Sequence, residues 1–181
     1  MCGIAGWLDR YEDLSEKTSI IERMSQTLEK RGPDENGVFL DREHGVCLIH
    51  RRLIVIDPKG GIQPMTIKHG QESYTLVYNG ELYNTEDLRR ELLAQGYAFR
   101  GHSDTEVLLT AYIHWGESCV EKLNGIFAFA VWDQAQHRLF VARDRIGVKP
   151  LFYYAYKGGL VFASEIKTLL ANPIVKPQID E

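Results

Sequence analysis

The sequence predicts an α+β fold in which helices cover antiparallel sheets. Segments typical of strands occur in runs, and segments typical of helices are grouped between those runs. The regular alternation of strand and helix that is typical of a parallel sheet is missing from this pattern. Hydrophobic residues make up 44% of the 181 residues, which is enough to fill a core. We therefore expect a layered α+β domain.

The N-terminal part predicts a strand, a helix and a strand pair. Residues 3–8 are apolar and rich in glycine, which predicts a buried strand. Apolar residues recur at helical spacing over residues 19–30, and Ser19 and Glu22 are spaced as a capping box at the start of that helix. Two short strands follow around a polar turn, 38–40 and 46–49.

The rest of the chain predicts a loop, a strand, two helices and a final group of strands. Glycine and proline crowd residues 57–64, which predicts a loop, and residues 74–78 return to strand composition. Asn84 is placed to cap one helix that ends at Gly96, and Ser103 with Glu106 forms a capping box before another. A short helix from Ser164 follows four strands, at 126–132, 138–143, 150–155 and 160–163.

Composition and patterning exclude several functional classes. Subtracting 25 acidic from 21 basic side chains leaves a net charge of −4, which disfavours nucleic acid as a partner. The longest apolar run, residues 126–132, is too short to span a membrane. The first twenty residues are too charged for a secretory signal, so we expect a cytoplasmic protein. The six histidines lack metal-ligand spacing, so no metal site is predicted.

The three cysteines differ in what they can do. Their odd number and wide spacing fit neither a disulfide framework nor a zinc site. Cys47 and Cys119 lie in an apolar run and a predicted helix, so both are interpreted as small buried hydrophobic residues. If Met1 is removed, Cys2 carries a free α-amine of pKa about 7.7–8.0 beside a thiol of pKa about 8.5. Nucleophile and base then belong to one residue, although Cys2 taken alone is equally an ordinary early residue.

Eight segments resemble a known family in composition and order. They are residues 1–6, 31–34, 50–53, 78–84, 103–106, 125–133, 143–150 and 162–167. Together they resemble the glutaminase domain of class II glutamine amidotransferases, which are N-terminal nucleophile hydrolases. The similarity is strongest to the N-terminal domain of glutamine-hydrolysing asparagine synthetases, and it extends over essentially the whole chain.

The resemblance implies a fold and a reaction. The implied fold is a four-layer αββα sandwich of antiparallel sheets. In the implied reaction, Cys2 freed of Met1 attacks the side-chain amide of L-glutamine, releases ammonia and leaves a γ-glutamyl thioester that water hydrolyses. The Asn79 side chain and the Gly80 backbone N–H are implied to stabilise the oxyanion, a role for which preorganised donors are needed. From the residues alone, Asn79-Gly80 is equally a hairpin turn.

The resemblance also implies a glutamine-binding set. Arg52 takes the α-carboxylate, a role that suits its fork of donors. The other members are pocket residues that make backbone contacts and acids that surround the α-ammonium: Leu53 and Val55, and Asp104 and Glu81. Arg51, at the variable position, is expected to be solvated. Gly60-Gly61 with Gln63-Pro64 could bind an anion, but no phosphate-binding glycine motif accompanies them, so a mobile lid over the glutamine pocket is the preferred interpretation. Taken singly, Asp104 could only cap a helix, Glu81 could be a surface strand residue and Arg52 could make an ordinary ion pair.

Domain organisation and partners follow from the same resemblance. Residues 1–171 would form the glutaminase domain, and residues 172–181 would begin a linker to an absent C-terminal synthetase domain. No cofactor is expected here, whereas ATP and magnesium are expected only in that synthetase domain. The expected partners are L-glutamine, the synthetase domain and a second copy in a homodimer, with no nucleic acid and no membrane. The alternatives are an amidotransferase domain serving another acceptor and a non-catalytic amino-acid-binding module.

Overall fold

The computed structural model describes residues 1–54 and 61–178 of the chain. These residues form nine strands and five α-helices. In chain order, the elements are β1 (Gly3–Asp9), α1 (Thr18–Thr27), β2 (Glu35–Asp41), β3 (Val46–Arg52), β4 (Met65–His69), β5 (Glu72–Leu82), α2 (Thr85–Ala94), α3 (Asp104–Trp115), α4 (Cys119–Lys122), β6 (Gly125–Asp133), β7 (Arg138–Arg143), β8 (Phe152–Tyr156), β9 (Gly159–Ala163) and α5 (Ile166–Leu170). Short 3₁₀ turns occupy Leu14–Glu16 and Gly116–Ser118.

The chain divides into two units, each built on one antiparallel sheet. The first unit contains Met1–Leu53 and Pro150–Glu181, and the second contains Ile54–Lys149. The first sheet has the strand order β2-β3-β1-β9-β8, and the second has the order β4-β5-β6-β7. Every pair of neighbouring strands is antiparallel. The predicted α+β class with antiparallel sheets is therefore confirmed.

In the first unit, the central strand β1 is buried along its length and pairs with β3 and β9. Apolar side chains from one face of this sheet form a core with α1 and α5, and that core includes Trp7, Met24, Cys47, Val161 and Leu169. The segment after α5 adds to it, because Asn172 is fully buried and Ile174 and Val175 pack against the same cluster.

In the second unit, β5 and β6 form the longest pairing, from Tyr74 opposite Asp133 to Leu82 opposite Gly125. Residues Phe127–Asp133 of β6 are buried without interruption, as the all-apolar run predicted. Alternate residues of β5, including Tyr74, Leu76 and Tyr78, pack with α2 and α3 into a second core. Strand alternation therefore sends the intervening residues of β5 to the opposite face of the sheet.

Two of the predicted helix caps are wrong, and one is confirmed. Helix α1 begins after Lys17 and has no side-chain cap, so the capping box at Ser19 does not form. Asn84 precedes α2 but does not cap it, because its side chain bonds the Lys122 carbonyl and the Asn124 N–H instead. Ser103 does cap α3, accepting a hydrogen bond from the Glu106 N–H at 3.3 Å. Side chains that bond distant segments cannot be recognised from local spacing.

Glu106 completes the start of α3 differently from a capping box. Its carboxylate accepts hydrogen bonds from the N–H groups of Arg100 at 2.8 Å and Gly101 at 2.9 Å. Arg89 of α2 donates to the Gly101 carbonyl at 3.0 Å. The loop that leads into α3 is thus tied to both helices. The helix before it, α2, ends at Ala94, two residues before the predicted Gly96, which has a φ of 90° that suits glycine just after a helix.

The carboxylate of Asp144 closes the turn that follows β7. It accepts hydrogen bonds from three backbone N–H groups, those of Phe127 at 3.2 Å, Val148 at 2.8 Å and Lys149 at 3.0 Å. Burial raises the pKa of Asp144, but the backbone donors outweigh burial, so this pKa lies below its ordinary value. The ionised carboxylate therefore stabilises the fold.

We expect Asp144→Ala to lower the free energy of unfolding by about 2–3 kcal/mol at neutral pH, because buried N–H donors lose a charged acceptor. The folded pKa is depressed, so this stabilisation is complete above the ordinary aspartate pKa and is lost as the pH falls through the folded value. Urea denaturation over a pH series measures both effects. Asp87→Ala, which removes an exposed carboxylate, is the control and should cost less than about 0.5 kcal/mol. Equal losses in the two variants would contradict the assignment.

Candidate active site

Cys2 lies at the start of β1 with its backbone held and its side chain accessible. Arg31 donates from Nε to the Cys2 carbonyl oxygen at 3.1 Å. The Cys2 thiol is half-buried and donates to the Leu53 carbonyl oxygen, with a sulfur to oxygen distance of 3.7 Å. Met1 before it is 61% exposed. Two predicted site residues, Cys2 and Leu53, are thus brought together within the first unit.

An ion pair holds Arg31 in place. Its Nη1 lies 3.3 Å from Glu165 Oε1, and Lys167 bonds the other carboxylate oxygen at 2.6 Å. Burial raises the pKa of Glu165, but the hydrogen bonds from Lys167 and Arg31 outweigh it and lower the pKa. No role was predicted for Arg31 or Glu165, although both fall in segments that carry the family resemblance. Arg31 lies in residues 31–34 and Glu165 in residues 162–167, and the match of both segments to the family is the signal that could have identified these two residues.

Strand alternation separates the two arginines at the end of β3. Arg52 is 5% exposed, and its Nη1 bonds Glu35 Oε2 at 2.9 Å from the directly opposite position on β2. Arg51 turns to the α1 side, where its Nε donates to Ser25 Oγ at 3.0 Å. The expectation of a solvated Arg51 is therefore wrong: the side chain is half-buried, because it follows the register that buries Cys47 and Ile49 on the same face.

The predicted oxyanion residues lie inside β5. Asn79 pairs with Ala128 and Gly80 with Phe127 in an uninterrupted ladder, so the alternative of an Asn-Gly hairpin turn is wrong. The Asn79 side chain is 2% exposed, and its Nδ2 has no hydrogen-bond acceptor among the described residues. A buried polar group of this kind is rare and requires an explanation. It is a donor that a ligand can use.

Gly80 is required by the crowding around its α-carbon. An added Cβ would lie 2.5 Å from the Ile126 carbonyl oxygen and 2.5 Å from Cε2 of Tyr78. No side chain fits there without moving the strand ladder. Glu81, the next residue of β5, is exposed, and its side chain makes no hydrogen bond among the described residues.

Asp104 is the first residue of α3 and lies against β5. Its Oδ2 accepts hydrogen bonds from the Tyr78 hydroxyl at 2.8 Å and from the Leu82 N–H at 3.3 Å. Burial raises the pKa of Asp104 above its ordinary value, and the hydrogen bonds from Tyr78 and Leu82 oppose that rise only in part. Within the second unit, the structure thus brings Asp104 to the strand that carries Asn79, Gly80 and Glu81.

The loop before β4 falls only partly within the described residues. Val55 and Gly60 lie outside them. Gln63 is buried, its Oε1 accepts a hydrogen bond from the Tyr78 N–H at 2.6 Å, and its Nε2 lies 3.5 Å from Thr105 Oγ1. The part of the predicted lid that can be described is therefore anchored to β5 and α3.

The other two cysteines are buried as predicted. Cys47 and Cys119 have no exposed surface, and burial raises the pKa of each thiol to about 12. Over residues 1–54 and 61–178, no group of three or more His, Cys, Asp or Glu side chains could hold a metal ion. Within the same ranges, no helix has the length and apolar character needed to cross a membrane.

Comparison with known proteins identifies relatives over the whole chain. A family model described as a glutamine amidotransferase domain matches residues 1–181. The chain is 53% identical over 180 residues to asparagine synthetase [glutamine-hydrolyzing] 3 of Bacillus subtilis strain 168, covering 99% of this chain and 29% of that protein. It is 41% identical over 172 residues to asparagine synthetase [glutamine-hydrolyzing] 1 of the same strain, covering 94% of this chain and 27% of that protein. The chain thus spans less than a third of these curated relatives.

A solved structure shares the fold. The glutamine phosphoribosylpyrophosphate amidotransferase from B. subtilis matches with a TM-score of 0.73 at 21% identity, covering 94% of this chain and 43% of that one. At this identity, the likeness shows the fold alone. It agrees with the predicted fold type.

The burial of the cysteines predicts selective alkylation. Iodoacetamide at mildly alkaline pH should label Cys2 in the folded protein and leave Cys47 and Cys119 unmodified, because thiolates react and the buried thiols are protonated. Peptide mass spectrometry reads out each site. In concentrated guanidinium chloride, all three should react. Labelling of Cys47 before Cys2 in the folded protein would contradict this picture.

Proposed function

Because the chain belongs to the glutamine amidotransferase domain family, we propose that it hydrolyses the side-chain amide of L-glutamine to glutamate and ammonia through a Cys2 thioester. Family membership makes it an enzyme domain, and the identity of the nucleophile is the first part of the proposal. The assignment of Cys2 as the nucleophile is supported by elimination, because Cys47 and Cys119 are fully buried and burial raises the pKa of each thiol. Its own thiol is accessible at the start of β1.

The proposed reaction begins with the removal of Met1. The freed α-amine of Cys2 accepts the thiol proton, and the sulfur attacks the amide carbon of glutamine. The carbon–nitrogen bond breaks, and the amine returns the proton to the departing nitrogen, which leaves as ammonia. Water then adds to the γ-glutamyl thioester and releases glutamate, which regenerates the thiol. The single residue supplies both nucleophile and base, so no histidine is required.

The observation that carries this proposal is the buried amide nitrogen of Asn79, Nδ2, which has no hydrogen-bond acceptor among the described residues. A tetrahedral intermediate needs donors that are already in place when the negative charge develops. The Asn79 Nδ2 has lost water without gaining an acceptor among the described residues, and that cost is offset if an oxyanion takes the acceptor position. We assign the Gly80 N–H as the second donor, as the family resemblance implies.

The proposed recognition of glutamine uses a cation and acids from the predicted set. Arg52 is buried and offers a guanidinium to the α-carboxylate, while Leu53 and Val55 contribute backbone contacts. Asp104 takes the α-ammonium with Glu81. The support for Asp104 is that hydrogen bonds from Tyr78 and Leu82 hold its carboxyl group in place, and an α-ammonium beside it would favour the ionised form.

We propose that the ammonia serves asparagine synthesis from aspartate and ATP in a synthetase domain outside this chain. The names of the curated relatives support this acceptor. ATP and magnesium would bind in that domain, with none required by the residues described here. The glutaminase domain, predicted from the sequence to end at residue 171, would then extend to Val175, because Asn172 is buried and Ile174 and Val175 pack against the first core, and the linker would begin after Val175. Cytoplasmic location and a homodimer stay predictions from the sequence.

The test is ammonia release from glutamine by the protein lacking Met1. We expect Cys2→Ala to abolish release and Asn79→Leu, which removes the donor at similar size, to lower kcat by about 10²–10³. N-terminal mass spectrometry confirms the loss of Met1. Glutamine binding without ammonia release by the protein that lacks Met1 and carries no substitution would favour the non-catalytic module. Equal rates for this protein and its Cys2→Ala variant would reject Cys2 as the nucleophile.

The two arginines of β3 provide a matched pair for substrate recognition. We expect Arg52→Ala to raise KM for glutamine at least tenfold with a smaller change in kcat, because a charge-assisted bond to the α-carboxylate is lost. Arg51→Ala, on the opposite face of the same strand, should leave KM unchanged. Steady-state kinetics on both variants measure the difference. An unchanged KM in Arg52→Ala would remove Arg52 from the site.

A further inference from the structure

Tyr78 links two parts of the candidate site within the second unit. It precedes Asn79 on β5, its side chain is 3% exposed, and it packs in the core with α2 and α3. No role is assigned to it by the family resemblance or by the proposed reaction. Its hydroxyl donates to Asp104 Oδ2 at 2.8 Å, and Cε2 of its ring is where a Cβ on Gly80 would clash.

The backbone of Tyr78 is fixed independently of its ring. Strand β4 ends its pairing with β5 at Met65 opposite Leu76, so the next outward N–H of β5 lies beyond the end of β4. The Gln63 side chain takes the place of the missing strand, because its Oε1 accepts the Tyr78 N–H at 2.6 Å. On the other side of β5, Tyr78 pairs with Phe129 of β6. The ring therefore projects from a backbone that is held on both edges.

The hydroxyl of Tyr78 reaches a carboxylate that is oriented at a helix start. Asp104 is the first residue of α3, where backbone N–H groups favour a negative charge. Its Oδ2 is held by the Tyr78 hydroxyl and the Leu82 N–H, both of which are supplied by β5. The orientation of this carboxylate relative to Gly80 is thus set by one strand and by one tyrosine ring.

We propose that Tyr78 is a positioning residue that orients Asp104 toward the α-ammonium of glutamine and so determines selectivity for substrates that carry this group. The inference rests on the proposed function, since it assigns Asp104 to the ammonium. Tyr78 acts through Asp104 and touches no reacting atom. Its contribution is therefore specific to the α-ammonium and independent of the chemistry at the amide.

The test compares glutamine with 4-carbamoylbutanoate, which is glutamine without its α-amino group. We expect Tyr78→Phe to lower kcat/KM for glutamine about tenfold, mainly through KM, because a hydrogen bond to a charged group is lost. The value for 4-carbamoylbutanoate should change less than twofold. The preference for glutamine, which is the ratio of kcat/KM for glutamine to kcat/KM for 4-carbamoylbutanoate, therefore falls about tenfold. A purely structural role would lower both values together.

Two further variants keep the test decisive. Tyr74→Phe removes a buried hydroxyl from the same face of β5, where it bonds Glu72, and should leave the preference unchanged. In an Asp104→Asn background, Tyr78→Phe should have no further effect on the preference, since the two residues act as one unit. Circular dichroism checks that each variant is folded.

The outcomes separate this inference from the proposed function. If the protein that lacks Met1 and carries no substitution released no ammonia, both the proposed function and the inference would be rejected. Normal release with an unchanged preference in Tyr78→Phe, or additive effects with Asp104→Asn, would overturn the positioning role alone. The positioning role is supported if Tyr78→Phe lowers the preference in the otherwise unsubstituted protein and has no further effect on it in the Asp104→Asn background.

Discussion

The site depends on the ladder between β5 and β6. Nine residue pairs join β5 to β6 from Tyr74 to Leu82, while the outward N–H groups of Tyr78 and Leu82 donate to the side chains of Gln63 and Asp104. The backbone of Asn79 therefore does not rely on its own side chain, whose Nδ2 has no hydrogen-bond acceptor in the described part of the chain. A loop in this position would use such a group to satisfy its own backbone. The strand thus leaves Asn79 Nδ2 as a buried donor with no acceptor within residues 1–54 and 61–178.

Period-two alternation then divides the functions of neighbouring residues. On β5, Tyr78 belongs to the helix-covered core while Asn79 lies on the opposite face of the sheet. On β3, Arg51 joins Ser25 of α1 while Arg52 takes the other face with Glu35. In both strands, one residue anchors the sheet to its helices and the next carries a group assigned to glutamine. A shift of one residue in register would exchange these roles completely.

The sequence predicted elements far better than it predicted side-chain partners. Strands such as β1 and β6 are recognised because their burial produces continuous apolar runs. Strand β4 was missed, since Met65 and Ile67 alternate with polar residues over only five positions at a sheet edge. Local spacing also cannot reveal that Asn84 bonds residues 122 and 124, or that Arg31 meets Glu165. Those contacts are decided by the fold as a whole.

The way Cys2 is held is compatible with chemistry at its own amine. Arg31 bonds the Cys2 carbonyl, the thiol bonds the Leu53 carbonyl, and the ladder with β3 starts at the next residue, Gly3. These anchors use atoms that remain when the preceding peptide bond is cut. Met1 is exposed and contributes no side chain to the core clusters. Loss of Met1 therefore changes the amine from an amide nitrogen to a base while the contacts that position the sulfur persist.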